Sequence, residues 1–123
     1  MKNILIVSDS IQEINKLRRY FGEDFKVSAT NSIENAAVIL QKKTAEIALY
    51  HIGVNLAGFF EFYKNLRTNK ATEELPLIVI ADTSILKTLT DTVALKKGSF
   101  ISPGITPDNL QNLVYSVLDE NNA

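Results

Sequence analysis

The alternation of apolar and polar positions divides the chain into five short apolar runs separated by longer segments of helical period. Ile4-Leu5-Ile6-Val7 is continuous and largely β-branched, the composition of a strand buried on both faces. Ser10 is placed to cap a following helix, whose Ile11, Ile14, Leu17, Arg18 and Phe21 recur at spacings of three and four until Gly22 stops it. Phe25-Lys26-Val27-Ser28-Ala29 alternates, as an edge strand does. Ser32 with Asn35 opens a second helix, with Ile33, Ala36, Ala37, Ile39 and Leu40 inward and Lys42-Lys43 near its negative end.

Ile47 to Ile52 is the third run. Gly58 marks a turn, and Phe59, Phe62, Tyr63 and Leu66 then take up the helical period, with Phe60 off the stripe and exposed. Leu75 to Ala81 is the fourth run, with Pro76 at its start, where a strand tolerates it. Ile85, Leu86, Leu89, Val93 and Leu95 predict a helix ending at Gly98. Phe100-Ile101 is a very short fifth strand. Thr106-Pro107 is a strong helix start, followed by Leu110, Leu113, Val114, Val117 and Leu118 on one face. The order βαβαβαβαβα predicts an α/β fold: a doubly wound, five-stranded parallel sheet, one domain over residues 1–123. In such folds function gathers at the carboxyl ends of the strands.

Composition narrows the chemistry. At 123 residues, 46% hydrophobic and 22% charged, the chain buries enough surface to fold without disulfides or a metal. Cysteine is absent, which excludes thiolate sites, and a lone histidine excludes any centre built on two imidazoles. A net charge of −1 carries no basic excess for nucleic acid. No apolar run reaches the length of a membrane span, and the four-residue run at Ile4 is too short for a signal-peptide core. The sequence thus predicts a cytoplasmic protein that binds neither nucleic acid nor membrane.

Several segments, in order, resemble the CheY-like receiver domains of bacterial two-component response regulators, and the resemblance spans the chain. They are Ile4 to Val7 with its acidic turn, the third strand with its loop to Gly58-Phe59, Leu75 to Ile80, Ala94-Leu95-Lys96-Lys97-Gly98, and Pro103. A receiver transfers a phosphoryl group to an aspartate ending the third strand, with Mg²⁺ on an acidic pair after the first strand. A hydroxyl ending the fourth strand and a lysine ending the fifth contact the phosphoryl group. Here the acceptor position is His51, the acidic pair is Ser8-Asp9, the hydroxyl position is Ala81 and the lysine position is Ser102. Thr83 or Ser84 supplies the hydroxyl if the loop is shifted, and Asp82 is an alternative helix cap.

These departures predict a degenerate receiver with a vestigial pocket of Ser8, Asp9, His51, Ala81, Asp82, Thr83 and Ser102. Asp9 is the only matching acid, so no metal site, weak or absent Mg²⁺ binding and no catalysis are expected. His51 has several readings: a phosphoacceptor, a metal ligand or a pH-sensing group, a polar residue filling a solvated strand end, or, as an imidazolium, a counter-charge for Asp9 on the adjacent strand. The resemblance also implies a protein partner, or a second copy, on the face of the fourth helix, fifth strand and fifth helix. Lys87, Thr88, Asp91, Phe100 and Tyr115 would lie there. The leading reading is a phosphorylation-independent interaction module. Its alternative retains an ion, phosphoryl group or small ligand at the strand ends. A flavodoxin-like cofactor site is disfavoured, since Asp9 stands where a phosphate would sit.

Overall fold

The five apolar runs become five strands because each is long enough to pair and has an amphipathic helix to cover it. The computed structural model describes residues 2–42, 45–92 and 98–122. In chain order the elements are β1 (Lys2–Ser8), α1 (Ile11–Phe21), β2 (Phe25–Thr30), α2 (Ile33–Gln41) and β3 (Ile47–His51), followed by α3 (Leu56–Thr68), β4 (Leu77–Ile80), α4 (Thr83–Thr92), β5 (Gly98–Ile101) and α5 (Pro107–Asn122). The strands form one parallel sheet in the order β2-β1-β3-β4-β5, so β2 lies at an edge as expected.

Alternation along the strands builds two cores. Ile4, Ile6, Ile47, Leu49, Ile78 and Ile80 face one side, where α1 contributes Ile14, Leu17 and Phe21 and α5 contributes Leu110, Val114, Val117 and Leu118. Leu5, Val7, Ala48, Tyr50, Leu77 and Val79 face the other, against Ala36 and Leu40 of α2, Phe59, Phe62 and Leu66 of α3, and Leu89 of α4. Side-chain caps start the helices where the sequence placed them. Ser10 accepts the Glu13 N–H, Ser32 that of Asn35, and Thr106 Oγ1 that of Asn109.

Four local expectations change. Gly22 follows α1 but in right-handed helical geometry (φ −62°), so its left-handed freedom is not what ends the helix. Gly58 lies inside the first turn of α3 rather than marking the turn before it. Its N–H donates to the capping Asn55 Oδ1 at 2.9 Å, and an added Cβ would meet that side chain at 2.7 Å. Gly98 opens β5 instead of closing α4, so β5 is longer than Phe100-Ile101. Phe60 is half-buried, because its ring packs on Phe59. Lys43, Val93, Ala94, Leu95, Lys96 and Lys97 lie outside the described residues.

Register aligns the carboxyl ends of the strands. Ser8 pairs with His51, His51 with Ile80, and Ile80 with Ile101, so four strand ends stand in one row.

The α3 core is the sensitive one. Phe59 is fully buried between Tyr50, Phe60 and Tyr63. Phe59→Ala should cost about 3–5 kcal/mol in urea unfolding, whereas Ile11→Ala, on a largely exposed side chain, should stay within about 0.5 kcal/mol.

Candidate functional site

Asp9 follows directly from the end of β1, which carries its carboxylate over the loop between β3 and α3. Oδ1 accepts the Gly53 N–H at 2.8 Å, and Oδ2 accepts those of Val54 and Asn55 at 2.8 and 2.7 Å. Three successive backbone N–H groups turned to one anion form a nest, and the charge shortens and strengthens each bond. Burial works against the charged form, but the bonds from Val54, Asn55 and Gly53 outweigh it and hold the carboxyl below its ordinary value of 3.8. Gly53 makes the approach possible, because a Cβ there would stand 2.5 Å from Oδ1. The loop around Asp9 leaves Val54 93% exposed.

His51 is only 8% exposed and is not at a solvated strand end. Its Nδ1 lies 2.9 Å from Ser8 Oγ, which also accepts the Ser10 N–H at 3.0 Å. Its Nε2 lies 3.8 Å from Glu13 Oε2 on α1. With the ring hydrogen on Nε2, on the Glu13 side, Nδ1 accepts the Ser8 hydroxyl proton while Ser8 Oγ accepts the Ser10 N–H. His51 is therefore not the counter-charge of Asp9. Alternation turns His51 to the α1 side, and backbone amides take the Asp9 oxygens instead. The Asp9 charge still reaches the other face, where burial first, and then Asp9 and Glu61, push the Tyr50 hydroxyl up to about 12.

The remaining predicted residues stand beside this group without joining it. Ala81 is buried, and its N–H donates to the Ile101 carbonyl at 3.1 Å. Asp82, Thr83 and Ser84 are exposed at the start of α4, where the Asp82 carbonyl accepts the Leu86 N–H. Ser102 is exposed after β5. Among the described residues no side-chain hydrogen bond links Asp82, Thr83, Ser84 or Ser102 to Asp9 or His51. On the expected partner face, Lys87, Thr88 and Asp91 are exposed and Phe100 is half-buried. Tyr115 is elsewhere: its ring packs on Phe25 of β2, and Gln111, one turn earlier, donates to the Tyr20 carbonyl, so this flank of α5 faces α1 and β2.

Sequence reasoning missed Glu13, Gly53, Val54 and Asn55 as partners of the site. Ser10-x-x-Glu13 has the spacing of a capping box, which would turn the glutamate back to the Ser10 N–H. Ser8 Oγ takes that N–H instead, leaving the Glu13 carboxylate to face His51. Mg²⁺ finds a poor donor set here: an imidazole at the central position and one carboxylate whose oxygens already hold three amides. Among the described residues no three His, Cys, Asp or Glu side chains are grouped to hold a metal ion.

No family model and no curated protein matches the sequence. Solved structures do match. The chemotaxis response regulator CheY4 of Vibrio cholerae superposes with a TM-score of 0.79 at 19% identity, covering 95% of this chain and 98% of that one. The signal receiver domain of a histidine kinase from Syntrophus aciditrophicus gives 0.79 at 15%, covering 98% and 92%. A response regulator receiver modulated diguanylate cyclase from Pelobacter carbinolicus gives 0.79 at 16%, covering 99% and 96%. The fold is that of a receiver domain. No helix among the described residues is long and apolar enough to cross a membrane.

The Asp9 contact has a pH signature. A carboxyl lowered by folding stabilises above its unfolded value, and the gain disappears as pH falls through the lower folded value. Asp9→Asn should cost about 1 kcal/mol at neutral pH, allowing for the screening of an exposed group, and the gap should close below pH 3.8. Gly53→Ala should cost a similar amount in the wild-type background and little on top of Asp9→Ala, a coupling that a double-mutant cycle in urea reads.

Proposed function

We propose that this chain is a degenerate receiver that acts in two-component-type signalling as a protein-binding module, without phosphoryl transfer. The observation that carries this reading is the commitment of Asp9 to Gly53, Val54 and Asn55. Phosphoryl transfer to a receiver needs a carboxylate nucleophile and a metal to neutralise charge, and here the one matching acid is engaged by the backbone. His51 is a poor substitute acceptor. Its Nε2 faces the Glu13 carboxylate, whose charge opposes an incoming phosphoryl group, and its Nδ1 is tied to Ser8.

The partner is a cytoplasmic signalling protein, with a second copy of the chain as the symmetric case. The surface this reading uses is Lys87, Thr88 and Asp91 on α4 with Phe100 on β5. Tyr115 is set aside because it faces β2.

Incubation with acetyl phosphate and Mg²⁺, followed by intact-mass analysis in neutral buffer, tests the reading. The expected product is unmodified protein, with partner capture unchanged by the phosphodonor. A stoichiometric phosphoryl adduct, or capture that depends on the donor, would refute it.

A further inference from the structure

The chain's only histidine is buried at the end of a central strand, bridging a hydroxyl on β1 and a carboxylate on α1. We propose that His51 is a proton-operated coupling between β3 and α1: protonation reverses its hydrogen bond with Ser8 and draws the first turn of α1 toward the strand through Glu13. The inference rests on the reading of a pocket that takes no phosphoryl group, and it supplies the pocket with a different input.

In the neutral ring Nδ1 accepts the Ser8 hydroxyl proton. A proton taken from solvent onto Nδ1 makes that nitrogen a donor, so the Ser8 O–H must turn away and Oγ must accept from Nδ1 instead. Oγ already accepts the Ser10 N–H, so the second acceptance uses its remaining lone pair and holds the start of α1 more firmly. At the other nitrogen, 3.8 Å to Glu13 Oε2 is beyond hydrogen-bond distance. A positive ring turns this approach into an ion pair, and closing it to a charge-assisted bond requires Glu13 to move by about 1 Å.

Among the described residues no other ionisable group competes for the ring. The Asp9 oxygens are engaged with the loop amides, Asp82 beyond β4 is exposed, and Asp108 in the first turn of α5 is exposed. The sheet neighbours on this side are Ile80 and Ile101, and α5 brings Leu110 and Val114. The moving turn carries Ile11, 59% exposed, so an apolar surface residue shifts with the proton.

A lone histidine gives one set of ring signals, so an NMR titration over about pH 5–8 reads the coupling directly. The ring ¹⁵N signals and the amides of Ser10, Ile11 and Glu13 should follow one curve. In Glu13→Gln the ring should still titrate and the Ser10 amide should still respond through Ser8, while the displacements of Ile11 and residue 13 are lost. In His51→Gln those amides should be flat with pH, and the β4 amides should show that the sheet is intact. A ring that does not titrate in this range, or one that titrates while α1 stays still, overturns the proposal. So does an α1 response that survives in His51→Gln. The phosphodonor test reads covalent mass and this one reads proton binding, so either reading can fail alone.

Discussion

The carboxyl end of the sheet depends on one carboxylate held by three amides. Asp9 joins the loop after β1 to the loop after β3, and so decides what the carboxyl end of the sheet can offer to a ligand. The bonds are short and charge-assisted, and Gly53 is the residue that lets the oxygens come so close. A metal arriving here would have to displace those amides and then find further oxygen ligands where the chain offers an imidazole. The arrangement is therefore self-contained: the negative charge at the end of β1 is answered by the protein's own backbone.

Around that contact the pocket splits between the two faces of the sheet. Ser8 and His51 are register partners and point to the α1 side, where Glu13 meets them. Tyr50, the residue before His51, points to the other side and packs on Phe59 and Phe62. Adjacent positions on one strand thus serve different cores. This is why His51 and Asp9 can end neighbouring strands without forming a pair, and why any signal borne by His51 would leave through α1 rather than α3.

The order of elements was legible in the sequence because each strand is a dense apolar run and each helix has a clear stripe, and the caps at Ser10, Ser32 and Thr106 were read from residue type alone. The errors lie where backbone decides. In the pattern Gly58 reads as a turn because glycine usually punctuates, but it sits in a helix start where Asn55 needs the space. Gly98 reads as a helix stop and instead begins a strand. For the site, the residues at the strand ends were identifiable by position, but their partners were not. Nothing in the pattern shows that three backbone N–H groups would answer Asp9, since any residues there carry the same groups. Glu13 lies away from every strand end, and its spacing from Ser10 is that of a capping box, so the pattern gives no sign that it faces His51. Tyr115 was assigned by analogy to a face that its packing on Phe25 denies it.

In the proposed reading the Asp9 carboxylate is committed to the loop and does not pass to a metal. Amide shifts recorded during addition of Mg²⁺, then of Mg²⁺ with beryllofluoride, test this. The signals of Gly53, Val54, Asn55, His51 and Ser102 should stay in place through both additions. Saturable shifts that begin at those amides and spread to β5 would contradict it, showing that the loop yields its carboxylate to a metal and that a ligand-driven switch survives in this pocket.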